Sequence, residues 1–476
     1  MSADRQGSDG APVSGSSRQT APASGGKAAS SDIQRIKDGP ILSTLLRLAV
    51  PNVLAMLMTV LVAIAETFYV GLLGTTQLAA MALVFPFVML MQQMSAGAMG
   101  GGVSSAISRA LGESNEQRAQ TLAFHALVIG LALGVFASLF FLVLGPALYR
   151  LLGGTDQVLE VAVRYSTTFF CGVVLIWLMN TMASILRGTG NMRIPSLGIF
   201  GAALLQIVLS GVLGLGLGPI PRLGMTGIAL GQLLAMGAGV AFFGWYLLGG
   251  KGRLTLRLRG IAMHGEMFHD ILKVGALACL SPLQSVLTMQ IFTGLIARLG
   301  TLPLAGYSIG QRLEFLLVPI SFGIGVASVP MVGMAIGAGK VARARRVAWT
   351  AGLVSMLNLA VIGLVVAMSP DLWAGLFTSD EQVLEVARQY LRIAGPAFPF
   401  FGLGLTLYFA SQGSGKMLGP VTAALVRPVL VAGVGGWMAS QGMGAPAYFA
   451  LVAGSLVAYG LATALSVRLT RWGRHS

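Results

Sequence analysis

From residue 42 onward the chain is a succession of apolar runs, each long enough to carry a helix across a bilayer at about 20 residues apiece, separated by short polar breaks. Twelve such runs fit at 42–73, 78–104, 120–148, 158–183, 195–217, 224–248, 268–298, 303–330, 347–368, 384–410, 420–438 and 445–467. The pattern predicts an all-α polytopic membrane protein with twelve transmembrane helices. Residues 1–40 break it: they are rich in Ser, Gly and Ala and hold no apolar core of a signal peptide, which predicts a disordered cytoplasmic arm.

The polar breaks differ in charge. One alternate set holds most of the Lys and Arg, among them Arg35, Lys37, Arg109, Arg118, Arg187, Arg193, Lys251, Arg253, Lys340, Arg343, Arg345, Arg346, Lys416, Arg468 and Arg471. The other set holds few: Arg150, Arg164, Arg222, Arg298, Arg388 and Arg392. By the positive-inside rule both termini are cytoplasmic, and the protein is a multi-pass protein of the cell (inner or plasma) membrane. The net charge of +15 therefore reports topology and not a nucleic-acid partner, because the basic residues recur between spans instead of gathering on one domain.

Composition agrees. The 476 residues are 55% hydrophobic and only 10% charged, whereas a soluble domain carries about 25% charged residues. The two cysteines, Cys171 and Cys279, both fall in apolar stretches, which predicts core filling and no disulfide framework.

The runs also repeat. DQVLEVAVRY at 156–165 recurs as EQVLEVARQY at 381–390, RGTGNMRIP at 187–195 as QGSGKMLGP at 412–420, and ALGESNEQRA at 110–119 as AIGAGKVARA at 335–344, all at an offset of 225 residues. LGTTQLAA at 73–80 and LGTLPLAG at 299–306 are 226 apart. An offset held this far means a duplicated six-span unit, and because six is even both copies share one orientation, with the working cavity between them. The expected division is a six-helix lobe at 41–250, a cytoplasmic linker at 251–266, a second six-helix lobe at 267–468 and a tail at 469–476. The Gly-rich loops of the repeat read as tight turns, since a Gly pair without a preceding strand is weak evidence for a phosphate cradle.

LAVP at 48–51, ETFYVGLLG at 66–74, ALGESNEQRA, LRGTGNMRIP at 186–195, LGTLPLAGYSIGQRLE at 299–314, MVGMAIGAGKVARARR at 331–346, FTSDEQVLEVARQYLRI at 377–393 and SQGSGKMLGP at 411–420 stand in an order and spacing that resembles the multidrug and toxic compound extrusion (MATE) transporters. The likeness covers nearly everything after residue 40. It implies two six-helix lobes around a cleft, alternating access, and export of organic molecules, often cationic amphiphiles, driven by inward Na⁺ or H⁺. The sequence departs from the family at its ion pocket: Glu66 stands where an aspartate is usual, Gln206 and Ser210 where an Asn and an Asp are frequent, and Gln232 where a threonine is common.

Of the acidic residues only Glu66 and Glu314 lie well inside spans. A charge at mid-bilayer costs at least about 2.5 kcal/mol, and such residues mark function by default. Glu66 shares a helix face with Asn52, Thr59 and Tyr69; Glu314 shares one with Tyr307, Gln311 and Ser321. At the offset of 226, Glu66 falls opposite Phe292 and Glu314 opposite Val88, so the copies share a scaffold but not a chemistry. The expected cation-coupling residues are Glu66, Gln206, Ser210, Gln232 and Thr59, and the expected substrate-binding residues are Glu314, Gln311, Tyr307 and Tyr69. A structural ion pair between Glu314 and Arg427 is the competing role for that carboxylate. Methionines 56, 58, 81, 89, 91, 94 and 99 would suit a promiscuous surface, although core filling explains most of them. Pro51, Pro86, Pro282, Pro319, Pro396, Pro399 and Pro428 mark candidate kinks.

An enzyme would need clustered His, Asp or Cys, yet the histidines are His125, His264, His269 and His475, apart in the sequence. No resident metal or cofactor is expected. A channel would show ring-forming filter segments. The closer alternative is a flippase of a lipid-linked precursor, which would need a strongly cationic cleft, whereas Arg312, Arg427 and Lys273 are the few cations in or beside the spans. The partners expected are small organic substrates and the lipid bilayer, with the protein a monomer. H⁺ is favoured over Na⁺ as the coupling ion, because sodium must replace its water with several oxygens and the pocket supplies one carboxylate, which is all that a proton needs.

Overall fold

The computed structural model describes residues 34–219, 221–256 and 262–473, and among them there is no strand. The helices make twelve consecutive crossings, numbered here α1 (Ile41–Leu73), α2 (Thr75–Gly112), α3 (Glu116–Leu151), α4 (the pair Asp156–Cys171 and Val173–Gly188), α5 (Arg193–Leu215), α6 (Gly224–Leu248), α7 (Gly265–Ala297), α8 (Thr301–Gly337), α9 (Val341–Met368), α10 (Glu381–Ser414), α11 (Leu418–Ser440) and α12 (Ala445–Leu469). Eleven are individually long and apolar enough to span a membrane; α4 becomes so as a pair bent by 45°. The turns between first and second helices repeat as well: Gly74 and Gly300 hold φ of 138° and 115°, which glycine alone adopts at little cost.

Proline marks some of the breaks: Pro282 and Pro428 stand at the third position of the segments that restart after Cys279 and Leu425, and Pro396 and Pro399 stand in and just after the break at Gly395–Ala397. Others do not: Pro51, Pro86 and Pro319 lie inside continuous helices, whereas α4 bends at Gly172. A Cβ on Gly172 would stand 2.5 Å from Leu233 of α6, so the bend exists where another helix needs the space. Cys171, expected in the core, is exposed and Cys279 is half-buried; Cys171 ends its helical segment just before the bend and turns outward there.

The first helix of each copy reaches into the other. At the terminal end of α1, Asn52 Nδ2 donates to Gly323 O of α8 (3.2 Å), and a Cβ on Gly323 would meet Val53 at 2.4 Å. Further along α1, Glu66 meets α5 of its own copy. In the same way the beginning of α7 lies on α2 and α3: Gly102 and Gly275 touch backbone to backbone, Arg118 pairs with Asp270 and with Glu266 (3.2 Å), and the His264 N–H donates to His125 Nε2 (2.9 Å). The rest of α7 packs on α11, with Leu295 against Gly435. In sequence the copies divide near 251–266; in space the beginning of each first helix packs on the other copy and the remainder on its own.

The two copies close on each other at the end that carries the termini. A Cβ on Gly112 would stand 2.4 Å from Met334 O, one on Gly333 1.9 Å from Ser108 Oγ, and one on Gly337 2.0 Å from Arg109 O. Bare helix faces let α2 and α8 approach closely, the usual way membrane helices pack without a hydrophobic drive. Residues 34–38 form a short helix, a departure from the unfolded arm expected over 1–40, of which residues 1–33 lie outside the described residues. Ile36 is buried against Gly190, Arg343 donates to Ile36 O (3.1 Å) and Gly39 O (2.6 Å), and Lys340 pairs with Asp38. The tail docks too, with Trp472 buried and Arg345 donating to Thr470 O (2.6 Å).

Candidate functional site

Glu66 sits in the first lobe where α1 crosses α5. Its Oε1 accepts from Gln206 Nε2 (2.7 Å) and from Ser210 Oγ (3.4 Å). Gln206 and Ser210 are four residues apart, hence on one face of α5. All three are buried, with Glu66 6% exposed. Glycines bring the neighbouring helix in: a Cβ on Gly227 would stand 2.3 Å from Leu213 O, and one on Gly231 2.5 Å from Ser210 N. That approach sets Ser210 Oγ 3.2 Å from Ile228 O; Gln232, one turn further along α6, is buried with its Oε1 lacking a hydrogen-bond partner and makes no hydrogen bond to Glu66, Gln206 or Ser210 among the described residues. Gln206, Ser210 and Glu66 are thus brought together. Thr59 is not part of this group: its hydroxyl donates to Met56 O (2.7 Å), one helical turn back on α1. Tyr69, expected among the substrate-binding residues, stays in the first lobe with its ring over Gly211, next to Ser210, away from the Glu314, Gln311 and Tyr307 group.

The second lobe builds a different cluster. Tyr390 of α10 donates its hydroxyl to Glu314 Oε1. Gln311 Nε2 donates to Tyr307 OH (3.3 Å), and the rings of Tyr307 and Tyr390 meet edge to face at 5.5 Å. Glu314, Gln311, Tyr307 and Tyr390 therefore form one polar group on α8 and α10. Gly310 makes it possible, since a Cβ there would lie 2.0 Å from the Tyr390 ring. Arg427 makes no direct ion pair with Glu314 among the described contacts, but its guanidinium, 6.0 Å from the centre of the Phe401 ring, is near enough to act electrostatically on the Glu314 carboxylate. Tyr390 escaped the periodicity argument because it stands on another helix. The repeat held the clue, for Tyr390 and the buried Tyr165 end the two copies of the same ten-residue motif.

One half thus holds a buried carboxylate and the other a half-buried one in different surroundings, inside a duplicated helical bundle. No group of three or more His, Cys, Asp or Glu able to hold a metal occurs among the described residues. In comparison with known proteins, the MatE family model matches residues 51–212 and 278–438. The FAD transporter of Shewanella oneidensis is 26% identical over 385 residues, 80% of this chain and 83% of that protein. The multidrug export protein MepA of Staphylococcus aureus is 23% identical over 394 residues, 82% of this chain and 86% of that one. Among solved structures, a MOP superfamily transporter from Pyrococcus furiosus superposes with a TM-score of 0.85 at 23% identity, covering 91% of this chain and 97% of that one. An outward-facing multidrug resistance MATE transporter gives 0.84 at 24% identity, again over 91% and 97%. With two matches that together take in most of the chain, one in each copy of the repeat, the protein belongs to the MatE family of multidrug and toxic compound extrusion transporters.

Proposed function

We propose that the protein is an antiporter that exports organic, cationic or amphiphilic compounds in exchange for protons, by opening the cleft between its lobes alternately to the two sides. Its family makes it a secondary transporter of the cell membrane and not an enzyme. The observation that carries the finer reading is the Glu66 carboxylate, buried and held by Gln206 and Ser210. A proton is favoured over sodium on the same geometry. Gln206 turns its N–H and not its carbonyl toward the carboxylate, and Ser210 Oγ also lies against Ile228 O. Few oxygens are left to replace the water shell of a hard cation. The positive-inside pattern puts the closed, terminus-bearing end in the cytoplasm.

Uptake of ethidium into inverted vesicles tests this. A proton gradient alone is expected to drive it and a sodium gradient alone is not; uptake that follows sodium at equal pH on both sides, indifferent to a protonophore, would refute proton coupling.

The Glu314 cluster supports a role in holding cargo. A half-buried carboxylate that accepts from the Tyr390 hydroxyl keeps acceptor capacity for a cation. Glu314→Gln is expected to weaken binding of a cationic dye about tenfold, or about 1.4 kcal/mol, and that of a neutral analogue much less. Equal losses, read by titration of the purified protein, would make the carboxylate structural. A flippase of lipid-linked precursors would need cations along the cleft. Arg312 and Arg427 lie against the rings of Phe377 and Phe401, at 5.1 and 6.0 Å, and Arg187 is a third, buried cation on another helix; cations set singly on separate helices support the antiporter over a flippase. The likeness to an FAD transporter supports a second cargo class, compounds that carry phosphate.

A further inference from the structure

The first lobe carries a line of polar side chains that neither the coupling pocket nor the Glu314 cluster uses. It follows the contact of α2 with the second segment of α4. Asn180 Nδ2 donates to Ser95 Oγ (2.8 Å) and reaches Gln92 Oε1 (3.5 Å). One turn on, Ser184 Oγ fills the space beside Gly100, and Gly188 abuts Ser104. Arg187 lies between those two contacts, on the same side of the helix, and is 1% exposed. Hydrogen bonding is satisfied at the Asn180 end of the line and fails at the other: the hydroxyls of Ser104 and Ser184 and all three guanidinium nitrogens of Arg187 have no partner. In the second copy the positions of Ser104, Asn180, Ser184 and Arg187 are held by Val329, Leu405, Phe409 and Gln412. The line is therefore a property of one lobe and not of the repeat.

A guanidinium taken out of water without a partner is costly, and a fold keeps one where the partner comes from outside or in another state. The place fits that account. Arg187 lies in the last turn of α4, just beneath the glycine seam at the terminus-bearing end. Gln412, its counterpart, bridges the seam by donating to Gly97 O (3.2 Å), with its Oε1 also unpartnered. Gly190, three residues beyond Arg187, lies against Met334 of α8, so parting the lobes at this end would open the neighbourhood of Arg187 to the side from which exported compounds come. A planar fork of five donors matches phosphate or carboxylate, and two serine hydroxyls on the adjoining turns add donors that a cation would not use.

We propose that Arg187, with Ser104 and Ser184, forms an entry station for organic cargo bearing a phosphate or carboxylate group, open when the lobes part at the terminal end and sealed when the glycine seam closes. The proposal rests on the transporter reading above and adds to it the recognition site for an anionic cargo class. The test uses the full-length protein in lipid nanodiscs, with binding of FAD and of ethidium each followed by fluorescence anisotropy. Arg187→Gln is expected to weaken FAD binding at least about tenfold, Arg187→Lys to restore part of it because a point charge still attracts phosphate, and ethidium binding to change less than about twofold in either. Should Arg187→Gln not fold, the Ser104→Ala/Ser184→Ala pair carries the test, with a loss confined to FAD. The station is overturned if the wild-type protein binds ethidium but not FAD, or if the variants lose both probes equally, as a merely structural arginine requires. Binding of both probes with no gradient-driven uptake of either in inverted vesicles would instead refute the antiport reading and leave the station standing.

Discussion

Replacing Glu66 with glutamine is expected to reduce gradient-driven export to the level of vesicles without the protein, while leaving the protein folded and inserted. The substitution keeps the side chain's volume and an oxygen that can still accept from Gln206 at 2.7 Å, so packing at the crossing of α1 and α5 is preserved. What it removes is a group that can change charge. Binding energy couples two states only if the ligand differs in affinity between them, and a side chain that never releases a proton supplies no such difference. Glu66→Asp tests the geometry separately: one methylene shorter, it keeps the charge and withdraws it from the amide, and export should fall without vanishing. Transport at the wild-type rate by the glutamine variant, in vesicles with matched protein content, would remove Glu66 from the coupling mechanism.

A side chain at Gly337 is expected to hold the terminal end open. Even a Cβ there would stand 2.0 Å from Arg109 O, a backbone atom with no rotamer to escape into, so α2 and α8 must separate. Overpacking of this kind costs about 1–3 kcal/mol, and a bias of that size on one of two states shifts their ratio about 5- to 150-fold. For Gly337→Val, spin labels on the exposed positions Gln117 and Ala342 should report a longer separation than in the parent protein, and export should slow because the cycle stalls on one side. An unchanged distance distribution would show that the seam yields without opening. If the entry station at Arg187 is correctly placed, this variant also binds FAD more tightly.

Much of the molecule was legible in the sequence, and what was not has a common cause. The spans were readable because apolar length is a property of each segment alone, and the duplication because one offset was held across both halves. The Glu66, Gln206 and Ser210 group was found through the family resemblance, and two glutamine and serine positions four residues apart were then enough to share a face. Contacts between distant helices were another matter. Periodicity told that Glu66, Tyr69 and Thr59 share a face of α1 without telling that the face changes partners along its length, from α8 at Asn52 to α5 at Glu66. That is why Thr59 was grouped with the pocket although its hydroxyl bonds back to Met56 of its own helix, and why nothing along the stripe told that Tyr69 lies beside Ser210. The bend at Gly172 was missed for a like reason: the breaks beside Pro282, Pro396, Pro399 and Pro428 carried a local signal, whereas the space that α6 needs at Gly172 is set by packing. Arg187 was counted as a loop cation because its position near a span end suited topology, and only the fold buries it.

The strap of residues 34–39 bears on how fast the protein can turn over. Its ion pair between Asp38 and Lys340 is nearly half exposed on both sides, and exposed pairs of that kind contribute about 0–1 kcal/mol. Arg343 adds two hydrogen bonds to backbone carbonyls in the same segment. Beside the dry glycine seam this is a wet and weak fastening, and a fastening must be weak if it is to be undone in every cycle. Being electrostatic and near the surface, it loosens as dissolved salt rises, within a Debye length of about 8 Å at physiological ionic strength. The seam, made of backbones in contact, does not respond to salt. Raised salt is therefore expected to loosen the ionic part of the strap and leave the buried Ile36 against Gly190 in place.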